Sequence, residues 1–269
     1  MNEALLNKYQ QLLELIKSYK SVVVAYSSGV DSTFLLYSAS IALKENCLAV
    51  TATSNVFPVR EKDESNEFCD AYHIKHILLP VNQLEIDGFK ENPKDRCYIC
   101  KKGLFTKIID LAKEDNIAYV LEGSNKDDEG DYRPGLKAIS ELGIKSPLRE
   151  LEFTKQEIRE LSKYFNLPTY NKPSFACLAS RFPYGNEITI KKLQQVEKAE
   201  AFLLDKGFKQ FRVRIHQNIA RIELLEEDFI YLSDLKLRNQ INTYFKELGF
   251  DYVSVDLQGF KSGNMNIHL

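Results

Sequence analysis

Through the first two-thirds of the chain, short apolar runs alternate with stretches of helical period. Val22–Tyr26, Cys47–Thr53, Ile74–Pro80 and Ala118–Glu122 are apolar or β-branched runs of strand length. Near 32–44, 60–72 and 97–115, apolar positions recur every three or four residues, which predicts helices. Such an alternation implies an α/β layer, a parallel sheet with helices on both faces and ligands at the carboxyl ends of its strands. An amphipathic segment carrying Leu5, Leu12, Leu13, Leu15 and Ile16 precedes the first strand.

Beyond Gly185 the pattern changes. Thr189–Lys206 and Asp228–Leu248 read as helices, and Gln210–His216, Ala220–Leu225 and Tyr252–Leu257 as strands. Arg-Val-Arg-Ile and Arg-Ile-Glu-Leu alternate polar with apolar, which predicts a half-exposed antiparallel pair. Gln217-Asn218 suits the tight turn between them. The expected organisation is a main domain over 1–185 and a small C-terminal α+β domain over 186–269, its sheet packed on two helices. Residues 260–269 read as loosely structured.

Composition narrows the setting. Lys and Arg (36) nearly balance Asp and Glu (38), so no global field recruits nucleic acid or an anionic membrane. With 44% hydrophobic residues the chain builds a real core. No apolar run approaches the length of a membrane span, and the N-terminus does not read as a signal peptide. The expected location is cytoplasmic, where five cysteines do not imply disulfides. Cys47 and Cys69 fall at core positions of a strand and a helix. Cys97, Cys100 and Cys177 fall in polar, loop-like contexts and need another explanation.

Three places carry candidate chemistry. The run Val22-Val23-Val24-Ala25-Tyr26 stops at Ser27-Ser28-Gly29, and a helix follows from Asp31. Backbone N–H groups and two hydroxyls then point to one place at the positive end of a helix dipole, which is an anion site. The Lys of a Walker A loop is missing, as is the spacing of a dinucleotide-binding glycine fingerprint. A second loop, Glu122 to Asp131, follows another strand end, and its Asp127, Asp128 and Asp131 are candidates for holding Mg²⁺ or orienting a nucleotide. The third is the thiols. Cys97-Tyr98-Ile99-Cys100 alone suits a redox pair, half a zinc site or part of an iron–sulfur site. Pro173, Pro183 and Gly185 put Cys177 on an irregular loop, where nearby Lys172 and Arg181 would favour thiolate.

Several strings together resemble a known family. The Ser27–Ser32 loop resembles the Ser-Gly-Gly-x-Asp-Ser loop of the PP-loop ATP pyrophosphatases, with Ser28 standing at the place of the first glycine. Gly123-Ser124-Asn125-x-Asp127-Asp128-x-Gly130-Asp131-Tyr132-Arg133-Pro134-Gly135, Ser180-Arg181-Phe182-Pro183-Tyr184-Gly185, Phe211-Arg212-Val213-Arg214 and the tail from Asp256 to Asn266 are similar to the LarE family of that superfamily. The similarity covers nearly the whole chain. It implies a Rossmann-like PP-loop domain and an ATP-dependent sulfur transferase of nickel-pincer nucleotide synthesis.

By that resemblance, ATP adenylates a carboxylate of a pyridinium dicarboxylate mononucleotide and sulfur then displaces AMP. Ser27, Gly29, Asp31 and Ser32 would hold the pyrophosphate with Mg²⁺, and Thr53, Asn125, Asp128 and Arg133 the rest of the nucleotide. Arg212 and Arg214, on one face of a strand, would clamp the substrate phosphate. Cys177, Ser180 and Arg181 would form the sulfur-donating site. In one LarE type a cysteine gives up its own sulfur; in another, three cysteines hold a [4Fe-4S] cluster whose open iron carries an extra sulfide. Cys97, Cys100 and Cys177 match the second, and the first would sacrifice Cys177 itself. Sulfide or another sulfur donor is then a partner, and the resemblance implies a homo-oligomer. A tRNA thiolase would want a basic RNA-binding surface, an amidotransferase-like synthase needs no cysteine set, and a nucleotide-sensing module leaves the thiols unexplained.

Overall fold

The structure is a computed structural model that describes residues 2–128, 134–261 and 263–264. Arg133, Asp131, Ser262 and the tail from Met265 lie outside the described residues. The chain forms two compact units, Met1–Ser54, Val59–Gln83 and Cys97–Ser174 in the first, Asn55–Pro58, Leu84–Arg96 and Phe175–Leu269 in the second. The change of pattern in the sequence puts the division after Gly185 instead. Backbone bonds explain why the second unit starts earlier and takes in two excursions. Leu178 N–H donates to Val56 O at 2.8 Å and Gly185 N–H to Asn92 O at 2.8 Å; the Asn92 amide also donates to Pro183 O at 2.7 Å.

In the first unit the elements run α1 (Glu3–Ser18), β1 (Val22–Ala25), α2 (Val30–Leu43), β2 (Cys47–Thr53), α3 (Val59–Ala71), β3 (Lys75–Pro80), α4 (Arg96–Glu114), β4 (Tyr119–Leu121), α5 (Pro134–Glu141), α6 (Pro147–Glu150) and α7 (Lys155–Tyr164). The sheet order is β3-β2-β1-β4, every pair parallel. Period-two alternation explains why both faces are covered. Val22 and Val24 join one core with Leu12, Ile16, Phe34 and Ile158. Val23 joins the other with Val50, Phe105, Ile108 and Ile139. This is the Rossmann-like α/β layer that the alternation of runs implies. Helix α7 is absent from the sequence expectation, although Thr154 and Glu157 form a capping box at its start.

The second unit contributes α8 (Ile190–Asp205), β5 (Phe211–His216), β6 (Ile219–Leu224), α9 (Leu235–Glu247) and β7 (Tyr252–Val255). Its sheet order is β5-β6-β7; β5 and β6 are antiparallel and β7 joins β6 in parallel. Gln217, at φ 55°, makes the turn expected between β5 and β6. The helix expected over 228–248 is instead a 3₁₀ segment, Glu226–Ser233, followed by α9. Asp234 divides them by capping α9, accepting from Lys236 N–H at 2.8 Å. Among the described residues no helix is long and apolar enough to cross a membrane.

Candidate functional site

The loop after β1 joins a buried strand to the first turn of α2. Val22, Val23 and Val24 are fully buried, so the strand is fixed and its carboxyl end delivers Tyr26–Gly29 to the start of α2. Gly29 is the N-cap, extended at φ −81° and ψ 164°. Having no side chain, it leaves the first-turn N–H groups of α2 without a cap from that position. The Ser27 and Ser32 hydroxyls lie 3.1 Å apart, and Ser32 Oγ accepts from Ser27 N–H at 3.3 Å. Ser28 is left-handed, at φ 53°, a backbone state glycine adopts without cost. That is the physical meaning of the glycine it replaces.

The loop after β4 closes the same end of the sheet. Asp31, in the first turn of α2, accepts from the Asn125 amide at 3.3 Å and is ion-paired with Lys155. Asn125 N–H donates to Asp128 Oδ2 at 2.9 Å, and Asp127 Oδ2 accepts from Lys155 N–H at 2.8 Å. Ser27, Gly29, Asp31 and Ser32 are thus brought together with Asn125 and, through it, Asp128. Thr53 ends β2, the strand paired with β1. Glu122 is buried, and Ser124 donates to it through Oγ at 2.7 Å. Ser146 also bonds it, and Lys101 Nζ lies 3.7 Å away. Lys155 is not marked by the sequence motifs, the Thr154–Glu157 capping box being the available signal for it, and Glu122 is marked only as the start of the second loop.

The thiols divide by burial, and Cys97 and Cys100, expected in a loop-like context, lie instead on α4. Cys47 and Cys69 are buried, and burial pushes both thiols up to about 12, so they are packing groups. Cys97 and Cys100 stand one turn apart at the start of α4, half-buried. Cys177, also half-buried, belongs to the second unit and directly precedes the 3₁₀ turn Leu178–Arg181. None of the five is in a disulfide. Among the described residues no three or more His, Cys, Asp or Glu side chains are grouped to hold a metal ion.

In the second unit, the arginines overturn the expected half-exposed strand face. Arg212 and Arg214 are each only 5% exposed, and Arg181 is fully buried. Alternation shows which residues share a face; it does not show whether that face meets water. Arg181 forks onto Glu200 with two bonds of 2.8 Å. Its guanidinium also donates to Ala176 O (2.6 Å), Cys177 O (3.0 Å) and Ser180 Oγ (2.8 Å). Arg181 therefore shapes the Cys177 turn through its backbone. Arg214 donates to Glu223 Oε2 and to Ser180 O, each at 2.8 Å. Arg212 lies between the Phe175 and Phe260 rings, 5.2 and 4.8 Å from their centroids. Burial, then the neighbouring Arg181, press against its charge and lower its pKa. Burial alone would raise Glu200, but the Arg181 guanidinium and Val213 N–H hold it below the ordinary carboxylate value.

No family model matches the chain. The pyridinium-3,5-bisthiocarboxylic acid mononucleotide synthase of Lactiplantibacillus plantarum is 39% identical over 97% of this chain and 95% of its own. An uncharacterized protein of Synechocystis sp. is 40% identical over 97% of each. A glutamine-hydrolyzing GMP synthase component of Thermoplasma volcanium is 24% identical over 68% of this chain and 60% of its own. Near-full-length similarity to the first, together with an uncapped helix start and paired serine hydroxyls at the end of β1, makes this chain an enzyme of the PP-loop ATP pyrophosphatase superfamily and a member of its LarE family.

Proposed function

We propose that the protein adenylates a carboxylate of a pyridinium-3,5-dicarboxylate mononucleotide with ATP and converts it to a thiocarboxylate, the sulfur transfer of nickel-pincer nucleotide synthesis. The observation that carries the reading is the pairing of the Ser27 and Ser32 hydroxyls at the open start of α2. Such a site holds the pyrophosphate that leaves when a carboxylate oxygen attacks the α-phosphorus. Asp31 and Asp128 would hold the Mg²⁺ that balances its charge, with Asn125, Thr53 and Arg133 on the rest of the nucleotide. The carboxylate oxygen forms a bond to phosphorus as the bond to pyrophosphate breaks. A sulfur nucleophile then adds to the acyl carbon, and AMP departs with that carboxylate oxygen.

For the substrate phosphate, the support is a buried cluster of guanidiniums, Arg181, Arg212 and Arg214, set among the carboxylates Glu200 and Glu223. Burial and Arg181 both press on the Arg212 charge, and an anion beside it would relieve that pressure. Ser180, whose hydroxyl donates to Cys177 O at 2.8 Å, and Arg181 set the turn that presents Cys177.

Sulfur enters at Cys177. Three half-buried thiols, Cys97, Cys100 and Cys177, suit a [4Fe-4S] cluster in donor number and type. Bound there, the cluster would supply an open iron position for an exchangeable sulfide. Sacrifice of the Cys177 sulfur, which needs neither Cys97 nor Cys100, is the second reading, and the half-burial of Cys177 beside the Leu178–Arg181 turn supports it. Anaerobic purification with iron and sulfide analysis, followed by mass spectrometry of Cys177 after turnover, decides. Bound iron, intact Cys177 and repeated turnover with added sulfide support the cluster; iron-free protein that loses the elements of H₂S from Cys177 supports sacrifice. A cytoplasmic location and a homo-oligomeric state belong to the same proposal.

A further inference from the structure

Ser28 is a residue with a β-carbon in a left-handed backbone at the centre of the anion loop, φ 53°, and L-residues disfavour that state. It is also 1% exposed, and it is held from two sides. Its hydroxyl donates to Glu61 O on α3 at 3.0 Å. Its carbonyl accepts from Lys172 Nζ at 2.8 Å, and the same ammonium is ion-paired with Glu64, one turn further along α3. Lys172 is itself braced. Arg159 on α7 donates to Lys172 O at 2.8 Å and to Tyr170 O at 2.7 Å, and Lys172 N–H donates to Thr169 O at 2.9 Å.

In a trans peptide the C=O and the following N–H point in opposite directions. A cation fixed on the Ser28 carbonyl therefore turns the Gly29 N–H away from itself. Successive N–H groups beside a left-handed residue make an anion-binding nest. We propose that Lys172 is a positioning residue of the ATP loop: by holding the Ser28 carbonyl it maintains the left-handed turn that a glycine would adopt unaided. The proposal rests on reading this loop as the ATP site.

The test is a double-mutant cycle on the binding of a non-hydrolysable ATP analogue with Mg²⁺, with circular dichroism and melting temperature recorded for each variant. Lys172→Met in the Ser28 protein weakens binding about tenfold. The same replacement in the Ser28→Gly background weakens it by about twofold or less, and Lys172→Arg recovers most of the affinity lost by Lys172→Met. Equal losses in the two backgrounds overturn the proposal and make Lys172 a direct nucleotide ligand or a general packing residue. If Lys172→Met is too unstable to purify, Lys172→Arg and the double variant still report, because a merely structural lysine is not rescued by Ser28→Gly. Wild-type protein that binds no ATP analogue overturns the loop reading itself, a result visible before any variant is made.

Discussion

Gly123, two residues beyond β4, stands so close to the first turn of α2 that a β-carbon on it would lie 3.0 Å from the Ser32 backbone nitrogen and 3.2 Å from its α-carbon. Both atoms are backbone, so no side-chain rotation makes room. Gly123→Ala therefore pushes the start of α2 away from the second loop and disturbs the Asn125–Asp31 bond. We expect ATP affinity to fall about tenfold and stability by about 1–3 kcal/mol. Titration with an ATP analogue checks this; wild-type affinity in the alanine variant would mean that the two loops do not act as one site.

Thiol accessibility separates packing cysteines from chemical ones. Cys47 and Cys69 are each 1% exposed, whereas Cys97, Cys100 and Cys177 are partly exposed. Iodoacetamide applied to native apoprotein is expected to label the last three and spare the first two until denaturant is added. Peptide mapping reads the outcome residue by residue. Rapid native labelling of Cys69 would contradict the packing assignment.

Replacing Arg212 and Arg214 singly tests the proposed phosphate role apart from stability. Arg214→Ala leaves the fully buried Glu223 without its 2.8 Å partner, although Arg221 and Asn264 still reach that carboxylate. The loss of stability is expected at the low end of about 3–5 kcal/mol. Arg212→Ala removes a guanidinium whose charge is opposed first by burial and then by Arg181, so the fold tolerates it better. Its expected effect is a rise in the mononucleotide KM of about tenfold or more, with ATP affinity unchanged. Equal effects on both ligands would remove the phosphate role.

Stability should fall with acid in two stages. Burial lowers the pKa of His76, with Asp70 opposing, and of His216, with Arg221 adding to burial. A histidine lowered by folding binds its proton more readily when unfolded. Its contribution is intact above about 6.5 and is lost as pH drops below that value toward the folded pKa. Glu200, held low by Arg181 against burial, contributes above about 4.3 and loses that contribution as pH falls through its lower folded value. Asp228, raised by burial, works in the opposite sense. Melting temperature against pH tests the sequence of events: His76→Gln should flatten the first stage, Glu200→Gln the second. A melting temperature that rises between pH 6.5 and 5 contradicts the histidine assignment.

The sheet and its loop are legible in the sequence because their signals are local. Val22–Ala25 and the serine-rich turn announce a strand, a stop and a helix start within a dozen residues. Lys155 and Lys172 are not, since their partners Asp31 and Ser28 lie 124 and 144 residues away and nothing in the sequence around Lys172 marks it as a loop brace. The alternating arginines of β5 are visible, but not their burial. That depends on Glu200 and Glu223, which reach them from α8 and β6. Asp234 is a visible helix cap inside a run that reads as one helix. Thus local punctuation can be read from the chain, while charge partners across the fold cannot.

The central claim is that ATP activates a carboxylate for sulfur. The most direct measurement uses pyridinium-3,5-dicarboxylate mononucleotide labelled with heavy oxygen in its carboxylates, incubated with ATP, Mg²⁺ and reduced enzyme. The account predicts pyrophosphate release that depends on this substrate, one heavy oxygen in the AMP, and a sulfur-for-oxygen exchange in the product's mass. Label-free AMP, or ATP cleavage indifferent to the pyridinium substrate, would contradict it.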